Sequence, residues 1–122
     1  MKKLSLVLFM LLFSASSGIY ADFDEGFKAY EAKNYSLALK LFNEAAAKGD
    51  SSAQLNLGLM YRMGQGVRQD NKTAAKWFQK AADQGNAPAQ YNLGNRYRKG
   101  QGVRQDYKTA VKWVFCSVSL YF

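Results

Sequence analysis

Seven consecutive residues occur twice in this chain and decide its fold: Gly-Gln-Gly-Val-Arg-Gln-Asp at 64–70, and the same seven at 100–106. The two copies lie 36 residues apart. The same shift aligns Asn-Leu-Gly at 56–58 with 92–94, and Lys-Trp at 76–77 with 112–113. Repeats with periods of about 20–50 residues are arrays of one supersecondary unit. The chain is therefore predicted to be a repeat protein.

Each unit is predicted to contain two helices. Apolar residues recur at helical spacing at Ala53, Leu57 and Met60, and again through 74–82. No segment alternates apolar and polar residues with a period of two, so strands are not expected. Gly64 is expected to end the first helix of its unit, because glycine readily takes the left-handed backbone conformation found there.

The helix boundaries have their own signals. Asp70 and Asp106 fit the N-cap of the second helix in each unit, where a carboxylate accepts hydrogen bonds from free backbone N–H groups. Pro88 fits the first turn of a helix. Gly58 and Gly94 fall inside helices, at a cost of about 1 kcal/mol each. We expect a neighbouring helix to pack against the bare backbone at these two glycines.

These residues together resemble the Sel1-like repeat family, a relative of the tetratricopeptide repeat, and more specifically an exported bacterial member. The matching positions are Ala53-Gln54, Leu57-Gly58, Tyr61, Gly64-x-Gly66-Val67, Asp70, Ala74, Trp77-Phe78, Ala81-Ala82 and Gly85, and the second copy matches from Ala89 to Trp113. The resemblance implies an all-α fold, a right-handed α/α superhelix of antiparallel helix pairs. It also implies a scaffold that binds other proteins rather than an enzyme.

The repeat divides the chain into five segments. Residues 22–49 resemble a degenerate first helix pair with a loop four residues shorter, because Gly26 precedes Gly58 by only 32 residues. The predicted segments are a signal peptide (1–21), this degenerate pair (22–49), a first repeat (50–85), a second, incomplete repeat (86–113) and a hydrophobic tail (114–122).

The N-terminus has the pattern of a secretory signal peptide. Lys2 and Lys3 precede a run from Leu4 to Phe13 that only one serine interrupts, and small and polar residues follow up to Ala21. Ten residues are too few to span a bilayer, which takes about 20. We expect cleavage after Ala21 and a periplasmic or secreted protein without a transmembrane segment; an uncleaved anchor is the alternative.

Composition excludes several kinds of catalytic site. The chain has no His and one Cys, which rules out a Cys/His zinc site, a Ser-His-Asp triad and an intramolecular disulfide. The sequence predicts no catalytic residue, no cofactor and no metal. The glycine-rich loops follow a helix and lack the Lys-Ser/Thr of a phosphate-binding loop, so they are interpreted as turns.

The charge is unevenly distributed along the chain. The formal net charge is +8 overall. Residues 22–50 hold four basic and six acidic residues, whereas residues 51–122 hold eleven basic and three acidic residues. Several basic residues recur with the repeat, for example Arg62 with Arg98. Such stripes favour acidic peptides, anionic glycans or lipid headgroups as partners, and a solvated face without a partner is the alternative. The export signal, rather than the charge, disfavours nucleic acid.

The predicted binding residues are carried over by position from the related tetratricopeptide fold, where the first helix of each pair lines a concave groove. They are Leu55, Leu59, Arg62 and Met63 in one unit and Tyr91, Asn95, Arg98 and Lys99 in the next. This mixture suits a protein or peptide partner, with apolar anchors and arginines for carboxylates.

The C-terminal residues depart from the repeat. Where Phe78-Gln79-Lys80-Ala81-Ala82 should recur, the chain has Val-Phe-Cys-Ser-Val at 114–118, and no charge follows. We expect a last repeat that is truncated or shifted in reading frame; docking of this tail on a membrane or on another copy is the rival interpretation.

Two alternatives to a binding scaffold remain open from the sequence. The first is a non-functional remnant of a longer repeat protein. The second is a cell-wall enzyme, because some cysteine-rich secreted members of the family have been described as β-lactamases. This chain lacks their paired cysteines and has no Ser-x-x-Lys motif. The sequence predicts neither the identity of the partner nor the oligomeric state.

Overall fold

A computed structural model describes residues 22–119, so the predicted signal peptide up to Ala21 and the last three residues lie outside the described part. That part is all helical and contains no strand, which confirms the predicted fold class. The helices are α1 (22–31), α2 (Tyr35–Ala47), α3 (Ser51–Met63), α4 (Asn71–Asp83), α5 (Ala87–Lys99) and α6 (Tyr107–Ser119). Successive helices pack on one another in chain order, α2 on α3, α3 on α4, α4 on α5 and α5 on α6.

The helices begin and end at the residues that the sequence indicates. Asp70 Oδ1 accepts hydrogen bonds from the N–H groups of Lys72 and Thr73 at 3.0 and 3.1 Å, and Asp106 accepts the equivalent pair at 3.0 and 3.2 Å. Gly64 ends α3 with a left-handed φ of 69°. Pro88 lies in the first turn of α5, where a missing N–H costs nothing.

The glycines inside helices mark close contacts between the two helices of a pair. A Cβ at Gly58 would lie 2.5 Å from the ring of Phe78, and one at Gly94 would lie 2.8 Å from Val114. Gly26 faces Phe42 in the same way, at 2.9 Å. The predicted close packing of a neighbouring helix against Gly58 and Gly94 is confirmed. These contacts also establish that Gly26, Gly58 and Gly94 are equivalent positions of three successive helix pairs.

The hydrophobic core lies between the pairs as much as within them. One cluster is centred on Phe42, Leu57 and Met60, and Trp77 from the following helix packs against it. A second cluster contains Phe78 and Leu93. Because each cluster takes residues from two successive pairs, no pair has an apolar core of its own, as expected for a stacked array.

Helix α6 includes residues that the sequence analysis assigned to a separate tail. Residues 114–119 continue the helix without a break, and Ser117 is buried in it. Within residues 22–119, no helix combines the length and the apolar character that crossing a membrane requires.

Candidate functional site

An apolar cavity lies between α5 and α6. Its volume is about 540 Å³. It is lined by Tyr91, Gly94, Asn95, Arg98, Tyr107, Ala110, Val111, Val114, Phe115 and Val118. A cleft of this size with few polar groups is typical of a binding site for an apolar side chain or surface.

The cavity exists because nothing in residues 22–119 covers this face of the last helix pair. One repeat earlier, the equivalent positions on α4, the helix on which α5 packs, are buried: Ala75 is 4% exposed and Ala82 is 2% exposed. Their counterparts on α6, Val111 and Val118, are 68% and 42% exposed. The surface is therefore the same face that joins one repeat to the next, left open.

This open face is more apolar than its counterpart. Where α4 has Ala75, Gln79 and Ala82, α6 has the larger side chains of Val111, Phe115 and Val118. Phe115 is 69% exposed. Exposed apolar residues that are contiguous, rather than scattered, mark surfaces that bind another molecule. We refer to Tyr91, Arg98, Val111, Phe115 and Val118 as the open face.

Half of the predicted groove residues are in or beside this cavity. Tyr91, Asn95 and Arg98 line it, and Lys99 is exposed next to Arg98. The Arg98 Nε donates to Asn95 Oδ1 at 3.4 Å. The structure therefore brings together the four residues predicted from the last unit.

The four residues predicted from the preceding unit are placed differently. Leu55 and Leu59, expected to be exposed, are partly buried and pack against the second cluster, which contains residues of both α4 and α5. The Arg62 Nη1 donates to Asn92 Oδ1 of α5 at 3.2 Å. Met63 is exposed. In this unit, three residues that were predicted to bind a partner instead contact the following repeat; they are Leu55, Leu59 and Arg62.

Sequence reasoning missed the contribution of α6. Tyr107, Val111, Phe115 and Val118 were not proposed as binding residues, although they form one wall of the cavity. The signal was available in the repeat itself, since all four of these positions hold small or polar residues one repeat earlier. The sequence analysis did not continue the helix beyond Trp113, so it could not place these residues on one face.

The electrostatics around the cavity are basic. Among residues 22–119, the ion pairs are Lys28 with Glu25 and Lys48 with Asp22, all in the first helix pair. Arg98 has no carboxylate partner within that range. Arg96, on the same helix, does not line the cavity; it is buried, and its Nε has no hydrogen-bond partner among residues 22–119. Burial, and secondarily the charge of Arg62, lower the pKa of Arg96. At the cavity itself, a carboxylate of a partner would be attracted to Arg98.

The described residues offer no metal centre. Between residues 22 and 119, no group of three or more His, Cys, Asp or Glu side chains is arranged to hold a metal ion. Cys116 is a free thiol on α6. The arrangement at the cavity is suited to binding: apolar walls give affinity, and Arg98 gives orientation.

A protein-family model matches most of the chain. The family model for the Sel1 repeat matches residues 23–50, 51–86 and 87–115. An uncharacterized protein of Neisseria meningitidis serogroup B is 58% identical over 36 residues, which are 30% of this chain and 8% of that protein.

Solved structures give the same architecture. A Sel1 repeat protein from Oxalobacter formigenes is 35% identical with a TM-score of 0.78, over 82% of this chain and 41% of its own. The protective antigen c5321 of uropathogenic Escherichia coli, described as having an SLR fold, is 34% identical with a TM-score of 0.81, over 84% of this chain and 23% of its own. Cysteine rich protein B of Helicobacter pylori shares the fold at 21% identity, with a TM-score of 0.67, over 84% of this chain and 87% of its own. The chain thus spans less than half the length of the first two structures and a small part of the Neisseria protein.

Proposed function

The chain belongs to the Sel1 repeat family, and from this premise we propose that it is an exported scaffold that binds another protein at the cavity between α5 and α6. Sel1 repeats generally mediate protein–protein interaction, and the family is one of non-enzymatic scaffolds. The proposal adds the place of binding, which is the face equivalent to the one that joins the preceding repeat to the next, rather than a concave groove. The observation that carries it is the exposure of the open face, whose equivalent one repeat earlier is buried.

The chemistry of the cavity indicates what the partner presents. Val111 and Phe115 offer apolar surface to an apolar anchor, and burying each such side chain stabilises a complex by about 1.5–3 kcal/mol. Arg98 stands at the cavity without a carboxylate partner in the described residues, so an Asp or Glu of the partner gains a charge-assisted hydrogen bond. The partner is therefore a protein segment with both apolar and acidic side chains.

Photocrosslinking tests this proposal in cells that make the protein. A photoreactive amino acid replaces Phe115 in one variant and the exposed Lys40 of α2 in a control variant. We expect a defined protein adduct from position 115 that is absent from position 40 and is weakened by Arg98→Ala. The same adducts from both positions, or none from position 115, would contradict the proposal.

Export is the second part of the proposal. It is supported by Lys2, Lys3 and the apolar run from Leu4 to Phe13, which have the arrangement of a cleavable signal. Mass spectrometry of the protein recovered from periplasm and medium should give a chain that begins at Asp22. A product that retains Met1 to Ala21 in the cytoplasm would rule export out.

A further inference from the structure

We propose that the junction between the second and third helix pairs binds an oxyanion, a carboxylate or phosphate group, between the guanidinium groups of Arg62 and Arg96. Helices α3 and α4 form one side of this junction, and α5 with the loop at 100–102 forms the other. Neither arginine lines the cavity between α5 and α6. The inference is therefore independent of the proposed function.

The junction between the first and second helix pairs shows what this place contains when it carries no charge. There the Tyr30 hydroxyl donates to Gln65 Oε1 at 3.0 Å, and the centres of the Tyr30 and Tyr35 rings are 5.5 Å apart. Met60 is fully buried in the cluster against which both tyrosines pack. This first junction is thus aromatic and apolar, and its glutamine oxygen has a hydrogen-bond donor.

The second junction repeats that geometry with different side chains. The repeat places four polar residues where the first junction has Tyr30, Tyr35, Met60 and Gln65; they are, in that order, Arg62, Asn71, Arg96 and Gln101. The loop glycines confirm this register. A Cβ at Gly66 would meet Tyr35 at the start of α2. A Cβ at Gly102 would meet Asn71 at the start of α4.

This exchange brings two positive charges together without a counter-charge. Arg96 is only 6% exposed, although arginine keeps its proton in proteins, and its Nε has no hydrogen-bond partner among residues 22–119. Burial and the charge of Arg62 both lower the pKa of Arg96. The ion pairs of the described residues lie in the first helix pair, so neither arginine has a carboxylate partner there. Buried charges are normally paired, and an anion would supply the missing charge.

The side chains at the junction define the ligand as a group with at least two oxygen atoms. A guanidinium donates two parallel hydrogen bonds to a carboxylate or phosphate group, so two guanidiniums suit one such anion. Arg62 is half-buried, which keeps the junction open to solvent on its side. The buried Gln101 Oε1 also has no partner in the described residues. Its amide has N–H groups as well as an oxygen, so a half-turn of the amide would present donors to the anion.

Thermal unfolding of the protein in different anions tests the inference. The melts are recorded in Tris chloride and in the same buffer with phosphate or acetate at equal ionic strength. Arg96→Met is the test variant, because the buried Met60 shows that methionine fits the equivalent position. Lys40→Met removes one charge from the exposed surface of α2 and is the matched control.

At about 10 mM phosphate or acetate, the wild type and Lys40→Met should melt at least about 4 °C higher than in chloride, and the shift should saturate. Arg96→Met should lack this shift. In chloride alone, Arg96→Met should melt higher than the wild type, because an apolar side chain replaces an unpaired buried charge. General salt effects are common to the three proteins and cancel in the comparison. A shift with phosphate alone identifies a phosphate group as the ligand, and one with acetate identifies a carboxylate.

Nuclear magnetic resonance locates the anion. The Nε–H signal of Arg96 should move with the same anion concentration dependence as the melting temperature. The absence of a saturable shift in the wild type, or an equal shift in Arg96→Met, would overturn the inference. Neither result bears on the crosslinking from position 115, so the two proposals can fail separately.

Discussion

At the scale of single residues, glycine sets how closely the two helices of a pair approach. Gly58 has no side chain, so the ring of Phe78 lies where a Cβ would be, at 2.5 Å. Phe78 is fully buried and cannot move away. The glycine that weakens the isolated helix is thus what allows the pair to pack.

Gly58→Ala should therefore destabilise the protein, although alanine is the better helix former by about 1 kcal/mol. Overpacking of this kind costs about 1–3 kcal/mol, so we expect a net loss in the free energy of unfolding measured with urea. Adding Phe78→Leu to the variant should recover part of the loss, because the smaller side chain relieves the contact. A Gly58→Ala protein as stable as the wild type would contradict the packing described.

The capping aspartates should make stability depend on pH. The Thr73 hydroxyl, followed by the N–H groups of Thr73 and Lys72, lowers the pKa of Asp70 below its ordinary value of 3.8, and the Thr109 hydroxyl leads the same effect at Asp106. A pKa that is lower in the folded state means that the unfolded chain binds protons first. The stabilisation is complete above about pH 5 and is lost as the pH falls through the lowered folded values.

The double variant Asp70→Asn, Asp106→Asn isolates this contribution. Asparagine caps a helix about as well as aspartate, so stability at pH 7 should change little. Between about pH 5 and pH 3 the variant should lose less stability than the wild type, measured by urea unfolding at each pH. All other carboxylates are common to both proteins, so equal losses would show that the two caps do not contribute.

At the scale of the elements, α4 is the helix that joins two repeats. Its Phe78 fills the second cluster, while Trp77, the next residue, packs backward onto the first. One helix thus contributes to both clusters, through neighbouring positions that point to different sides. Removing either side chain should therefore weaken the packing between two successive helix pairs, and not only the packing within one pair.

Trp77→Ala is expected to lower the free energy of unfolding by about 3 kcal/mol. This value is at the lower end of the range for replacing a core tryptophan by alanine, because the ring of Trp77 is only partly buried. Lys80, whose Nζ lies 4.7 Å from the centre of that ring, provides the control. Lys80→Ala should cost less than about 1 kcal/mol, since it removes an exposed cation–π contact and leaves the packing intact. Equal effects of the two variants would mean that Trp77 does not pack as described.

At the scale of the whole molecule, the two ends of the stack differ. The outer side of α1 carries Asp24, Glu25 and Lys28, with Lys28 paired to Glu25. The open face at the other end carries apolar side chains. Phe27 of α1 is also 41% exposed, so both faces carry exposed apolar side chains, and within the described residues the apolar surface of α6 is the larger.

Replacing the exposed side chains of α6 by those of α4 should therefore be tolerated. The triple variant Val111→Ala, Phe115→Gln, Val118→Ala should change the free energy of unfolding by less than about 1.5 kcal/mol, since surface substitutions cost little. It should lower the fluorescence of the apolar dye ANS bound to the protein, because the contiguous apolar surface is gone. A large loss of stability would show that these side chains pack in the folded molecule.

The repeat made much of the fold predictable from the sequence. The identity of 64–70 with 100–106 establishes the period, and Gly64, Asp70 and Pro88 mark helix ends through local backbone chemistry that needs no knowledge of distant residues. Helical spacing then predicts the all-α class, and the structure confirms it.

The candidate site depends on contacts that the sequence alone does not reveal. Leu55 and Tyr91 hold equivalent positions, yet Leu55 packs against the second cluster and Tyr91 is 54% exposed. The difference is whether a further helix lies on top, which is a property of the stack and not of either residue. Local sequence thus determines where each helix begins and which side is apolar, whereas only the tertiary arrangement decides which apolar side remains open, because burial depends on neighbours.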